Sequence, residues 1–158
     1  MKINEIIHQK VLRTEDLPIL RKKSVAQKIT FTNGCFDLIH PGHIHLLYRA
    51  KEFGDILIVG LNSDESVRSL KGETRPVKDE YMRMLTLASF FFVDYVILFS
   101  EQTPEKLIHK IRPNILVKGG DYNESEIVGA DFVKSYGGMI KIIPFLENYS
   151  TSSLIGKV

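Results

Sequence analysis

The sequence is short of cysteine and tryptophan and has almost no excess of either charge. Its 158 residues include one cysteine, Cys35, and no tryptophan, and 21 Lys and Arg against 19 Asp and Glu leave a formal net charge of +2. A single cysteine excludes an internal disulfide, so the fold does not depend on an oxidising compartment. The small net charge indicates neither a nucleic-acid nor a membrane surface. We therefore expect a cytoplasmic protein that binds neither.

Long apolar stretches are also missing. The first ten residues have charges every few positions, unlike the apolar core of a signal peptide. The most apolar stretch, 85–99, is interrupted by Asp94 and is shorter than the ~20 residues that cross a bilayer. We predict a buried helix followed by a buried strand there. With 44% apolar and 25% charged residues, the composition is that of a globular protein, and the length suits one domain over 1–158.

Short apolar runs alternate with segments of helical spacing. The runs are rich in Ile, Val, Leu and Phe, as is typical of strands buried on both faces of a parallel sheet. They occupy 28–32, 56–61, 95–99, 115–117 and 139–144. Helices are predicted to begin at Pro41, Asp79 and Pro104, and segment 1–27 to form an N-terminal helical extension. The alternation predicts an α/β fold with a Rossmann-like, doubly wound, parallel five-stranded sheet.

Ligands of such sheets bind at the carboxyl ends of strands, near a point where the strand order reverses. This rule directs attention to the three loops 33–41, 62–76 and 118–122. The first loop belongs to the most informative segment, TNGCFDLIHPGHIHLL, which follows one predicted strand and opens one predicted helix.

The chemistry of that segment suits phosphate. Gly34 permits a tight turn, and a helix that begins at Pro41 presents unpaired N–H groups and a positive dipole end. His40 and His43, three residues apart, are expected on the same side of the first helical turn. Gly42 between them has no side chain to obstruct a ligand.

The motif GCFDLIHPGH resembles the GxFDxxHxGH signature of the nucleotidylyltransferase superfamily. From about Ile29 to Ile155 the chain is similar to the family of bacterial adenylyltransferase domains that act on D-glycero-D-manno-heptose 1-phosphate. The segments that support this are NSDESVRSLKGETRPV, the helix containing Arg83, LVKGGDY and YSTSSLI. The resemblance implies transfer of AMP from ATP to give ADP-heptose and pyrophosphate, here without a fused sugar-kinase domain. It also implies the HxGH fold and a homodimer.

The resemblance also implies roles for individual residues. The catalytic group is expected to comprise His40, His43, Arg83 and Lys71, with the two histidines on the triphosphate. The nucleotide-binding group is expected to comprise Asn33, Gly34, Cys35, Phe36, Gly42, Gly119, Asp121, Ser150, Thr151 and Ser152. The substrate-binding group is expected to comprise Asp37, Asp64, Arg75 and Lys118. Mg²⁺ is expected to accompany ATP because it neutralises triphosphate charge, and its protein ligand is unknown.

Simpler interpretations apply to several of these residues. Gly119 and Gly120 fit a plain turn, Arg83 fits an exposed helix charge, and 150–153 fits a helix cap. Asp64 fits a cap of the next helix or an acceptor for a sugar hydroxyl, and Asp37 either a metal ligand or a loop support. A zinc site at Cys35, His40, His43 and His45 is disfavoured, because His45, two residues after His43, faces elsewhere on the helix.

Two other functions remain open. One is another small transferase with the HxGH motif, such as glycerol-3-phosphate cytidylyltransferase, pantetheine-phosphate adenylyltransferase or FAD synthetase. The cytidylyltransferases have an RTEGISTT-like segment where this chain has FLENYSTSS, so Phe145 replaces the expected arginine. The other is a non-catalytic nucleotide- or RNA-binding module, which the absence of a basic, aromatic-rich RNA motif disfavours.

Overall fold

The computed structural model describes residues 3–144, which form a parallel sheet of six strands with helices on both faces. The strands are β1 Val11–Leu12, β2 Ile29–Gly34, β3 Ile56–Asn62, β4 Tyr95–Phe99, β5 Ile115–Gly119 and β6 Met139–Ile143. Their order in the sheet is β1-β4-β3-β2-β5-β6, and every neighbouring pair is parallel. The chain builds outward from β2 through β3 to β4 and then returns to place β5 on the other side of β2. The strand order therefore reverses between β2 and β5, where a ligand site is expected.

The five predicted strands are all present, but the sheet has a sixth. Strand β1 lies within segment 1–27, whose predicted helices are also there, and it pairs with β4 through Val11 with Val96 and Leu12 with Ile97. The side chain of Lys10 fixes this edge by donating to the backbone oxygens of Phe90 and Val93. A two-residue strand is too short to show an apolar pattern, which is why the predicted count of five was wrong.

The helices are α1 Ile3–Gln9, α2 Leu17–Lys23, α3 Pro41–Glu52, α4 Asp64–Lys71, α5 Glu80–Ser89, α6 Glu105–Ile111 and α7 Ala130–Ser135, with short 3₁₀ turns at Thr14–Asp16 and Glu124–Glu126. Helix α5 begins as predicted, with Asp79 accepting a hydrogen bond from the Met82 N–H at 2.8 Å. Helix α4 lies inside the predicted loop 62–76. Its cap is Ser63, which accepts from the Ser66 N–H, so the interpretation of Asp64 as the cap was wrong.

Two apolar clusters pack against opposite faces of the sheet. Helices α3 and α5 cover one face through Leu47, Ala50, Leu87 and Ala88, and we name this the α3 face. Helices α2, α6 and α7 cover the other through Leu17, Leu20, Leu107, Ile108, Ile111, Ala130 and Val133, and we name this the α6 face. Burial on both faces was predicted for all strands and is wrong for β6, because an edge strand leaves side chains such as Met139 exposed.

The apolar stretch 85–99 divides as predicted into the end of α5 and strand β4. Between them Asp94 accepts hydrogen bonds from the Leu57 N–H and the Lys51 ammonium, so the charge that interrupts the stretch is paired. Within residues 3–144, no helix is both long enough and apolar enough to cross a membrane.

Candidate active site

The site lies at the carboxyl ends of β2, β3 and β5, where the sequence motif is placed by β2 and α3. Proline fits the first helical turn, and α3 begins at Pro41 with His40 at its N-cap in an extended backbone conformation. The His40 carbonyl accepts from the His43 N–H at 2.9 Å. The motif therefore connects the end of a buried strand to a helix N-terminus, as the sequence predicts.

The two histidines form a close pair. Their ring centroids are 3.8 Å apart, and the His43 ring lies 5.3 Å from that of Phe36. The Nδ1 atoms of both histidines are buried and have no hydrogen-bond partner among the described residues. Because buried polar atoms are nearly always hydrogen-bonded in folded proteins, two unpartnered imidazole nitrogens mark this place as a candidate ligand site.

Both histidines titrate below the ordinary range. Burial lowers the pKa of His40. Burial lowers the pKa of His43 to about 4, with smaller contributions from the charges of His40 and Lys71, while a backbone hydrogen bond at Leu38 opposes the change. The pair is therefore neutral near pH 7 without ligand, and the charge of a bound phosphate would favour protonation.

The loop between β2 and the histidines is tightly turned. Phe36 has a φ of 45°, which non-glycine residues adopt rarely, and its ring packs over Gly34 and beside His43. A Cβ atom on Gly34 would lie 3.1 Å from that ring. Glycine at this position therefore lets the ring of Phe36 pack beside the imidazole of His43.

The carboxylate of Asp37 is hydrogen-bonded to other groups of the protein. It is 3% exposed and accepts hydrogen bonds from Arg75 at 2.6 Å, the Val77 N–H at 2.9 Å and the Lys78 N–H at 3.0 Å. Burial acts to raise the pKa of this carboxyl, but the three hydrogen bonds outweigh it and lower the pKa overall. These contacts agree with loop support, and the predicted substrate-binding roles of Asp37 and Arg75 stay predictions.

Arg83 is buried at the centre of three loops. Its side chain is 0% exposed, so the interpretation as an exposed helix charge was wrong. Its guanidinium donates to the carbonyls of Lys78, Cys35 and Asn62 at 3.0, 2.6 and 2.8 Å, and to Asp64 at 2.7 Å. Each nitrogen has an acceptor in the protein. The geometry indicates that Arg83 positions these loops, whereas direct contact with the triphosphate stays a prediction.

Lys118 occupies a different environment. Its ammonium donates to the side-chain oxygen of Asn33 on the neighbouring strand. Burial lowers the pKa of Lys118 to about 8. Among the described residues it forms no ion pair, in contrast to Asp37, Asp64 and Arg75, the other members of its predicted group.

The remaining predicted residues surround this centre. Lys71 is exposed at the end of α4, yet its charge acts to lower the pKa values of His43 and Cys35, which places it near the pair. Burial is the larger effect on Cys35 and raises its pKa. Gly42 lies in the first turn of α3, and Gly119 packs against Leu46 of that helix, where a Cβ atom would approach to 3.1 Å. Asp121 is exposed, and 150–152 lies outside the described residues.

Sequence reasoning missed the segment 77–78, which connects Asp37 with Arg83. Its main-chain N–H groups donate to Asp37, and the Lys78 carbonyl accepts from Arg83. No side-chain pattern marks this connection, because its bonds come from the backbone. The one signal in the sequence was Asp37 of the motif, and a sequence does not identify the partners of an aspartate.

Most of the chain is similar to known proteins. Residues 31–155 match the family model described as cytidylyltransferase-like. The chain is 48% identical over 155 residues to the bifunctional protein HldE of Campylobacter jejuni subsp. doylei, covering 98% of this chain and 33% of that protein. It is 50% identical over 137 residues to the HldE of Geobacter metallireducens, covering 87% of this chain and 28% of that protein. The chain thus spans about a third of the length of these relatives.

Solved structures agree on the fold. A lipopolysaccharide core biosynthesis protein from Thermoplasma volcanium is 29% identical with a TM-score of 0.63, covering 78% of this chain and 99% of that one. A pantoate-β-alanine ligase from Francisella tularensis is 19% identical with a TM-score of 0.65, covering 94% of this chain and 72% of that one. The second likeness concerns the fold alone.

Proposed function

The chain belongs to the cytidylyltransferase-like family of nucleotidylyltransferases, and we propose that it transfers AMP from ATP to D-glycero-D-manno-heptose 1-phosphate, giving ADP-heptose and pyrophosphate. The observation that carries nucleotidyl transfer is the His40–His43 pair at the start of α3, with its two buried Nδ1 atoms unpartnered within the described residues. A triphosphate there would meet hydrogen-bonding imidazoles and a helix N-terminus together.

The proposed mechanism is a direct displacement. An oxygen of the acceptor's phosphate attacks the α-phosphorus of ATP, a new P–O bond forms, and the bond to the bridging oxygen of the β-phosphate breaks. The electron pair leaves with pyrophosphate. The charge of a bound triphosphate would raise the pKa values of His40 and His43, so that they take up protons from solvent and stabilise the charge that develops on the leaving group. No covalent intermediate with the protein is required.

The choice of acceptor rests on similarity across nearly the whole chain. Identity near 50% extends over 87% to 98% of the chain, and the relatives are HldE proteins. The segments 70–77 and 118–122, which resemble the heptose enzymes, both border the site. The identity of the acceptor sugar is inferred from this resemblance, because the geometry of the histidines is common to the whole family.

Magnesium fits this site as a companion of the nucleotide. Within residues 3–144, no group of three or more His, Cys, Asp or Glu side chains is arranged to hold a metal ion. Asp37 and Asp64 are already bonded to arginines. Mg²⁺ commonly binds through substrate phosphates and waters with few protein carboxylates, which agrees with this donor set. When bound, it would neutralise triphosphate charge.

We further propose a cytoplasmic homodimer. The cytoplasmic location rests on the proposed substrates, ATP and a sugar phosphate. An exposed aromatic patch consists of Tyr48 on α3 and Phe91 in the turn before β4, which is 85% exposed, and both rings pack on the buried ring of Phe92. Such a patch is typical of a surface that another protein covers.

The function is tested by pyrophosphate release. The purified protein with Mg²⁺ is offered ATP or CTP against heptose 1-phosphate, glycerol 3-phosphate, FMN and phosphopantetheine. Release with ATP and heptose 1-phosphate alone is expected. Release with CTP and glycerol 3-phosphate would replace the proposed activity by the cytidylyltransferase alternative. Nucleotide binding without release in any pairing would contradict an enzyme for these acceptors.

A further inference from the structure

The histidines approach the site from one face of the sheet. Helix α3, which starts with them, packs its Leu47 and Ala50 into the core of the α3 face. The ring of His43 also rests on Phe36, a member of the same cluster. Groups bound to the histidines therefore lie over the α3 side of the carboxyl edge.

Lys118 approaches from the opposite face. Successive side chains of a strand alternate between faces, and Leu116, two residues earlier, belongs to the core of the α6 face. Asn33 follows Phe31 of the same cluster by two residues. The hydrogen bond from Lys118 to Asn33 agrees with both side chains lying on that face. The end of β2 thus separates the imidazoles from the ammonium.

The ammonium of Lys118 lacks a counter-charge. Its hydrogen-bond partner, Asn33, is neutral, and it forms no ion pair with any described residue. The carboxylates on the surrounding elements are exposed: Asp121 after β5, Glu105 of α6, Asp131 of α7, Glu126, which accepts from the Asn123 N–H, and Glu124, which pairs with Lys134 of α7. The other titratable groups are Lys106, His109 and Lys110 of α6, Lys141 of β6, which lies over Phe53, and Cys35 and the histidines beyond β2. Lys118 is half-buried, and a cation partly removed from water without an anion is unfavourable, so an anionic ligand would stabilise it.

The proposed reaction brings a second anion to the site, the phosphate of the acceptor. In an in-line transfer the attacking and leaving oxygens lie on opposite sides of the phosphorus. Pyrophosphate that leaves toward the histidines on the α3 face requires the attacking oxygen to arrive from the α6 face. We propose that Lys118 binds the phosphate group of the acceptor and aims its oxygen at the α-phosphorus. This inference rests on the proposed function and names the residue that holds its second substrate.

Steady-state kinetics distinguish the two substrates. Lys118→Met is expected to raise KM for heptose 1-phosphate about 30-fold, as for a lost hydrogen bond to a charged group, while KM for ATP changes by less than about threefold. Lys118→Arg keeps a cation and should restore part of the acceptor affinity. Lys110→Met, which removes an exposed lysine of α6, is the matched control. A rise in KM for ATP with unchanged KM for the acceptor would overturn the proposal.

The pH profile gives a second readout. The ammonium form binds phosphate, and the lowered pKa of Lys118, about 8, means that this form is lost above that pH. The wild-type kcat/KM for the acceptor should therefore fall as pH rises through about 8. In Lys118→Arg the fall should move to higher pH, since arginine stays protonated. An identical alkaline limb in this variant would assign the titration to another group.

A binding measurement separates this inference from the proposed acceptor. If the wild type releases no pyrophosphate with heptose 1-phosphate, the proposed function fails, but Lys118 is still tested with inorganic phosphate. Calorimetric titration of phosphate, with a non-hydrolysable ATP analogue filling the histidine side, should show about tenfold weaker binding in Lys118→Met than in the wild type. Equal affinities would overturn the role of Lys118.

Discussion

The guanidinium of Arg83, on α5, donates a 2.7 Å hydrogen bond to the carboxylate of Asp64 at the start of α4. The same guanidinium also bonds the carbonyls of Cys35 and Asn62, which lie just beyond β2 and at the end of β3. Three segments that border the active site are therefore held by one buried cation. Their relative positions depend on a residue that the histidine motif does not contain.

Replacing Arg83 should cost stability as well as activity. Arg83→Met leaves Asp64 and three carbonyls without their donor, so the free energy of unfolding should fall by about 3 kcal/mol, as for a broken buried ion pair. Urea denaturation measures the loss, and Arg68→Met, at an exposed site on α4, is the control with little expected change. Unchanged stability with lost turnover would instead indicate direct contact with the triphosphate.

The histidine pair should carry the transition-state stabilisation. His40→Ala and His43→Ala are each expected to lower kcat by ~100-fold or more while the circular dichroism spectrum stays that of the wild type. His45→Ala, in the same helix, serves as the control and should retain most activity. Turnover near the wild-type value in folded variants of the pair would remove these imidazoles from the mechanism.

Acid should destabilise the protein through His43. Its pKa is about 4 in the folded protein, against 6.5 ordinarily, so between these values the unfolded chain binds the additional proton. Stability therefore falls as pH drops from 6.5 toward 4. We expect the melting temperature of His43→Gln to fall less than that of the wild type over this interval. Parallel losses in the two proteins would place the acid sensitivity in other groups.

The aromatic patch predicts the oligomeric state. Phe91→Asp should convert the proposed homodimer to a monomer, because a charge on this turn opposes burial of the patch against a second copy. Light scattering after size exclusion measures the mass, and Val25→Asp is a control at a second 85% exposed apolar residue. A variant that stays dimeric would place the dimer contact elsewhere, and a monomeric wild type would contradict the dimer itself.

The elements that the sequence predicted well have strong local signals. Strands β2 to β6 are apolar runs, and α3 begins at a proline beside the two histidines. Helix α4 was hidden because DESVRSLK is mostly polar, and its cap is an ordinary serine. Local patterns of this kind identify an element only when its composition differs from that of a loop.

The contacts inside the site were less accessible to sequence reasoning. The motif indicated that His40 and His43 lie together, and their ring contact agrees. The burial of Arg83 was not predictable, because three of its acceptors are backbone carbonyls that every residue possesses. Similarly, the lack of a counter-charge at Lys118 depends on which side chains surround it in space.

Strand β1 protects one edge of the sheet. Its pairing with Val96 and Ile97 covers hydrogen-bonding groups of β4 that would otherwise face outward. An open, apolar strand edge is a template on which other chains can add, so a protein shortened to begin after Leu12 would have a new aggregation surface far from the histidines. Strand β1 thus contributes to keeping the edge of β4 closed to other molecules at high concentration.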